Sequence, residues 1–158
     1  MSVGVDYLLD TASEAEIAAH LVRCDADFVP PLSGRVAIQD YARKIASTAL
    51  RFEAWSGESL IALVAAYCND RNKCIAYITS VSVLRAWTGK GIGASLVGQC
   101  IERAKESGMQ LVSLEVAEAN IRAIKLYSKR GFVVGNANGP FVAMNLYLTS
   151  REEHEQHT

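Results

Sequence analysis

Apolar residues in this chain recur at two spacings, and the switches between them divide it into elements. In "SEAEIAAHLVRCDADF" Ile17, Leu21, Cys24 and Phe28 fall at helical spacing and form one stripe. Ser13 followed three residues later by Glu16 is a capping box that opens this helix. "VPPL" stops it, because proline disfavours helix at the residue before it. Ahead of it, Asp6 to Thr11 reads as a first strand. A second amphipathic helix is predicted from about Val36 to Ala49, with Ile38, Tyr41, Ala42 and Ile45 on one face. Two strands, "LRFEAW" and "SLIALVAAYC", flank Ser56-Gly57-Glu58, a short glycine-containing gap that signals a hairpin. "NDRNK" at 69–73 is the next turn, and "CIAYITSVSVL" runs on as a long β-branched strand. Ile92, Leu96, Val97, Cys100, Ile101 and Ala104 then trace a helix that ends near Gly108, where a C-cap glycine is expected. "LVSLEVA" is a strand and "NIRAIKLYSKRGF" a helix stopped by Gly131. "FVVG" and "FVAMNLYL" close the series as strands about a turn at Asn136 to Pro140. The order β-α-α-β-β-β-α-β-α-β-β describes an α/β domain with a mixed sheet, since helical crossovers make parallel neighbours and short turns make antiparallel ones.

Composition narrows the class. A chain of 158 residues with 50% apolar side chains fits one domain with one core. Its 16 basic and 17 acidic side chains give no general attraction to nucleic acid or anionic membrane, so any bound anion is held locally. The start "MSVGVDYLLD" has no basic n-region followed by an apolar stretch, and does not read as a signal peptide. The longest apolar run, "LIALVAAYC", is far short of the roughly 20 residues that span a bilayer. A soluble, cytoplasmic protein is the expectation. Cys24, Cys68, Cys74 and Cys100 lie among apolar neighbours without ligand spacing, so they read as buried free thiols, with no metal site. The domain is expected over residues 1–150, followed by a polar tail at 151–158.

The densest signal is "TGKGIGASL", Thr88 to Leu96, between a strand and a helix. Glycine loses more conformational freedom on folding than other residues, so three at alternate positions imply close approach to the backbone. Free N–H groups and the positive end of the helix dipole meet there, which makes an anion site. A Walker A loop needs GxxxxGK followed by Ser or Thr, and this run fails it. A GxGxxG dinucleotide fingerprint would need glycine where Ala94 stands. No acidic residue ends the next strand in the ribose-binding manner.

Thr88-Gly89-Lys90-Gly91-Ile92-Gly93 resembles the signature of the GNAT superfamily of N-acetyltransferases: Gln or Arg, two residues, Gly, one residue, then Gly or Ala. Thr88 departs from it, standing where Arg or Gln is usual. A second stretch agrees at Asn120, Ala123, Leu126, Tyr127, Gly131 and Phe132, matching the family's Asn-x-x-Ala-x-x-Leu-Tyr-x-x-x-Gly-Phe. The resemblance implies a single GNAT-like domain: a mixed sheet of about six or seven strands flanked by about four helices. It implies acetyl-coenzyme A as cosubstrate, with its pyrophosphate on the N–H groups of Gly89 to Gly93. Pantetheine would pair with the backbone of Val81 and Val83 as an added strand, and Asn120 would contact the pantetheine arm or serve as an N-cap.

For chemistry, the resemblance places Tyr127 near the sulfur. A phenol of ordinary pKa, about 10, is protonated at neutral pH and suits the general acid; packing against the core is the alternative. The central strand carries no carboxylate for a base. Glu115 alternates with Leu114 and Val116 and is the remaining choice, with a plain ion-pair role as its alternative; a water chain is the other route for the proton, and Tyr67 or Glu53 is expected to border the cleft. The segment "DADFVPPLSGRVAIQDY" is expected to set acceptor specificity, Asp25 and Asp27 suiting an amine and Arg35 an anion, with a plain linker as the alternative. No acidic run is present to hold a basic peptide, so a small-molecule amine is the expected acceptor. A homodimer is left open. The competing function is a non-catalytic acyl-coenzyme A sensor on the same fold.

Overall fold

A computed structural model describes residues 4–70 and 72–148. The tail expected at 151–158 lies outside the described residues. The strands are β1 (Asp6–Leu9), β2 (Leu50–Ser56), β3 (Ser59–Asp70), β4 (Ile75–Val83), β5 (Leu111–Ala117), β6 (Val133–Asn138) and β7 (Phe141–Tyr147). The helices are α1 (Glu14–Cys24), α2 (Ile38–Thr48), α3 (Ile92–Glu106) and α4 (Ile121–Lys129). The seven strands form one mixed sheet in the order β1-β2-β3-β4-β5-β7-β6, so the expected α/β class, strand number and four helices are all present.

The chain divides into two compact units, one within Met1–Ala66 and Ser80–Cys100, the other within Tyr67–Thr79 and Ile101–Thr158. The division falls inside β3, β4 and α3.

In the first unit β1, β2 and β3 form an antiparallel meander, with Leu9 opposite Phe52 and Phe52 opposite Val64. Every residue of β2 from Arg51 to Trp55 is buried, and Ile61 to Ala66 of β3 are buried as well, so these strands read as runs rather than alternations. α1 packs on α2 and buries Ile17, Ala18, His20, Leu21 and Cys24. Its start is the expected box: Ser13 Oγ accepts from Glu16 N at 3.1 Å and Glu16 Oε1 accepts from Ser13 N at 2.8 Å. The helix ends at Cys24 rather than Phe28 and gives way to a 3-10 turn over Asp25–Asp27. A second such turn at Leu32–Gly34 precedes α2, which is shorter at both ends than its apolar pattern suggested.

In the second unit β5 pairs antiparallel with β7, and β7 with β6. β4 pairs parallel with β5 over Ile75↔Leu111, Ala76↔Val112 and Tyr77↔Ser113, where the ladder ends. β6 runs to Asn138, so the turn expected from Asn136 narrows to Gly139 and Pro140; a register shift between Val134 and Ala137 absorbs the difference. Met144 and Val112 are fully buried there. None of the four cysteines forms a disulfide, and of the four Cys24 and Cys100 are fully enclosed. Cys68 and Cys74 are half-buried because they sit toward the strand ends flanking the β3–β4 turn.

Candidate functional site

The glycine run lies in the first unit. β4 ends at Val83, Leu84 N donates to Ile61 O at 2.8 Å, and Arg85–Trp87 form a 3-10 turn. Thr88 closes that turn twice: its N–H and its hydroxyl both donate to Arg85 O, at 3.2 and 2.8 Å. The side chain that replaces the usual Arg or Gln is therefore committed to shaping the loop. Gly89 and Gly91 follow at φ of 79° and 80°, in the left-handed region that side chains with a Cβ disfavour. An added Cβ would meet nothing within 4 Å at either position. Crowding by the chain thus plays no part; the backbone angle demands glycine, and the space before the loop is open.

Behind the loop stands α3, 15 residues long. The N–H groups of Gly89, Lys90, Gly91, Ile92 and Gly93 make no hydrogen bond with any described residue, and Ser95 N to Gly91 O, at 3.0 Å, is a first-turn bond. Five unpaired donors, two glycines turned to positive φ and the positive end of a four-turn helix dipole make a cradle for an anion. Just upstream, Val81 and Val83 are half-buried and alternate along β4 with buried Ser80 and Ser82.

The buried face of that strand carries a constellation that pattern reading missed. His20 of α1, 2% exposed, reaches from the helix to β3 and β4. Its Nδ1 is 2.9 Å from Leu60 O and its Nε2 is 2.8 Å from Ser82 Oγ. A carbonyl only accepts, so Nδ1 carries the proton, Nε2 is the acceptor and the Ser82 hydroxyl donates. Burial, with a smaller push from Arg23, lowers the imidazole to about 4 and keeps it neutral. Cys24 Sγ is 3.7 Å from Nε2, and burial raises its thiol to about 11. The signal was present: His20 falls three residues after Ile17 and four before Cys24, on the apolar stripe.

Glu53 has a structural task. It is fully buried, and its carboxylate accepts from Thr11 N, Thr11 Oγ1 (2.5 Å), Ala12 N (3.0 Å) and Trp55 Nε1 (3.0 Å). Arg51 Nε lies 3.7 Å away. The charge is thus spent on tying β2 to the start of α1. The acids of the α1–α2 segment are also engaged. Ser33 N donates to Asp25 Oδ1 at 2.7 Å and lowers its carboxyl, while Asp27 pairs with the Arg85 guanidinium.

The second unit holds the other residues. Tyr127 is the buried residue of α4, its ring tilted against Phe132 with centroids 5.8 Å apart. Burial pushes its phenol above the ordinary tyrosine range, contrary to the expectation of an unperturbed group. Asn120 is the N-cap of α4, its Oδ1 accepting from Ala123 N at 3.2 Å. Glu115 is exposed on β5, and Asn138 Nδ2 donates to its Oε2 at 3.4 Å. The structure thus places Val81, Val83 and Thr88 to Gly93 along one continuous stretch of the first unit, and Asn120, Tyr127 and Glu115 in the second. Among the described residues no group of three or more His, Cys, Asp or Glu is arranged to hold a metal ion.

The family model described as acetyltransferase (GNAT) family matches residues 15–132, about three quarters of the chain. The chain belongs to this GNAT family. Among its relatives, N-alpha-acetyltransferase MAK3 of Arabidopsis thaliana is 31% identical over 77 residues, covering 49% of this chain and 40% of that protein. Streptothricin acetyltransferase A of Bacillus subtilis is 35% identical over 60 residues, covering 38% of this chain and 35% of the relative. The matched segments therefore span well under half of these curated relatives. The PaiA N-acetyltransferase of Thermoplasma acidophilum, solved in complex with coenzyme A, shares the fold with this GNAT chain at a TM-score of 0.69 and 17% identity. That match covers 90% of this chain and 99% of the other. No helix among the described residues is long and apolar enough to cross a membrane.

Proposed function

We propose that this protein is an acetyl-coenzyme A-dependent N-acetyltransferase acting on a primary amine of a small molecule. The observation that carries the reading is the cradle of five unpaired N–H groups from Gly89 to Gly93 at the start of α3. Open space where two Cβ atoms would stand fits a pyrophosphate against the main chain. Val81 and Val83 are the residues whose backbone would pair with the pantetheine arm. Lys90 would add charge at the loop, and Thr88 would contribute by holding the turn. Asn120 would serve the pantetheine arm while capping α4.

Acetyl-coenzyme A supplies an acyl group activated as a thioester. The chain's own residues have the remaining tasks. In the proposed reaction the neutral amine attacks the thioester carbonyl directly in a ternary complex, the C–S bond breaks, and the Tyr127 hydroxyl gives its proton to the departing thiolate. The burial that raises Tyr127 keeps that proton in place throughout the physiological range. Glu115, the carboxylate of β5, or water takes the proton that the amine loses. The acids of the α1–α2 segment are occupied by Ser33 and Arg85, which weighs against their holding a strongly basic peptide and supports a small acceptor.

The test is thiol release from acetyl-coenzyme A over a panel of amines, run beside a binding measurement. Turnover with at least one amine supports the enzyme. The absence of a carboxylate from β4 favours the second reading, a non-catalytic acyl-coenzyme A sensor, and binding without turnover on any amine establishes that one instead.

A further inference from the structure

The His20 constellation is not used by the chemistry above, yet it grips β4 between the two residues assigned to the pantetheine arm. Ser82 separates Val81 from Val83, and its side chain points to the opposite face of the strand. That side chain donates to His20 Nε2 at 2.8 Å, and the same ring donates to Leu60 O at 2.9 Å on the neighbouring strand. Next along, Leu84 N donates to Ile61 O at 2.8 Å. Leu60 and Ile61 of β3 are thus tied to Ser82 and Leu84, one link passing through an imidazole rooted on α1. Ser80, one step earlier on the same buried face, offers a contrast: its hydroxyl is enclosed and has no partner among the described residues. The strand is anchored by a side chain at Ser82 and not at Ser80.

We propose that His20 is a positioning residue for acetyl-coenzyme A, fixing through Ser82 the stretch of β4 from which Val81 and Val83 present their main-chain groups. The inference rests on the acetyl-coenzyme A reading above. A recognition strand that binds through its backbone gains affinity from being held in place beforehand, because the ordering cost is met in folding rather than in binding. The ring has one tautomer that serves both neighbours, so the link is directional: α1 holds the ring, and the ring holds the strand.

The test separates the two arms of the imidazole. His20→Asn places an amide N–H where Nδ1 donates to Leu60 O and gives up the contact with Ser82. His20→Gln reaches Ser82 with its amide oxygen and gives up Leu60. Affinity for acetyl-coenzyme A is measured by titration calorimetry on each folded variant, beside Ser82→Ala, the double variant His20→Asn/Ser82→Ala, and Ser80→Ala as the control on the same strand face. The expected result is an affinity about tenfold weaker in His20→Asn and in Ser82→Ala, the scale of one net hydrogen bond. The double variant should be no weaker than either single one. His20→Gln should recover most of the loss, and Ser80→Ala should bind like the wild type. A merely structural histidine gives another pattern: variants that melt earlier but bind acetyl-coenzyme A with wild-type affinity, which overturns the proposal while leaving the cofactor reading intact. Additive losses in the double variant overturn it too. A wild-type protein that does not bind acetyl-coenzyme A overturns both.

Discussion

Acidification from pH 6.5 toward 4 should destabilise this protein through His20. The imidazole is held neutral in the fold, lowered from 6.5 to about 4 mainly by burial. In the unfolded chain it recovers its ordinary value and takes up a proton between those limits. The unfolded state then binds more protons than the native one, so stability is full above pH 6.5 and is lost as the pH falls toward 4. At 1.36 kcal/mol per pKa unit, the loss amounts to about 2 kcal/mol at pH 5 and about 3 kcal/mol at pH 4. That is a large share of the roughly 5–15 kcal/mol that holds a domain of ordinary stability. The assay is urea unfolding followed by the fluorescence of Trp55 and Trp87, at steps from pH 7.5 to 4.5, on the wild type and on His20→Gln. The variant starts less stable but lacks this linkage, so the gap between the two curves should narrow by about 2 kcal/mol between pH 7.5 and pH 5. Parallel curves would refute the reasoning, showing that the ring is not held neutral.

Three other outcomes follow from the same geometry. Tyr127→Phe keeps the ring against Phe132 and removes the proposed acid, so kcat should fall about 10²- to 10⁴-fold with little change in KM for acetyl-coenzyme A; wild-type kcat would return Tyr127 to a packing role. Because burial raises the phenol, activity of the wild type should show no alkaline loss from Tyr127 below about pH 10, and a limb that vanishes in Tyr127→Phe would contradict this. Glu53→Gln should cost about 3 kcal/mol in urea unfolding, since it turns two of the carboxylate's accepting sites into donors facing Thr11, Ala12, Trp55 and Arg51; a change below about 1 kcal/mol would remove Glu53 from its structural task.

Much of the fold was legible because its signals are local. The capping box at Ser13 and the stripe from Ile92 to Ala104 each depend on residues a few positions apart, and each appears as read, while the glycine run sits in the loop between β4 and α3 where it was expected. Element ends were less legible where two signals compete. Phe28 continues the stripe of α1, but the backbone tightens into a 3-10 turn at Asp25, where Ser33 N reaches back to the Asp25 carboxylate. The roles of single polar residues were the hardest to read, because they depend on partners far along the chain. Glu53 meets Thr11, 42 positions away, and His20 meets Ser82, 62 positions away. No spacing rule spans such distances. The glycines show a subtler limit: their presence suggested close approach to the backbone, but the left-handed angles at Gly89 and Gly91, rather than crowding, are what the loop requires of them.

The most direct test of the central claim is calorimetric titration of acetyl-coenzyme A into the wild type and into folded Gly91→Asp. The substitution places a side chain and a negative charge in the open space before the N–H groups of the loop, at a backbone angle that aspartate adopts only with strain. The account predicts one binding site in the wild type and an affinity at least about a hundredfold weaker in Gly91→Asp, where two like charges meet in the cradle. Equal affinity in the two proteins, or no binding by the wild type, would contradict it.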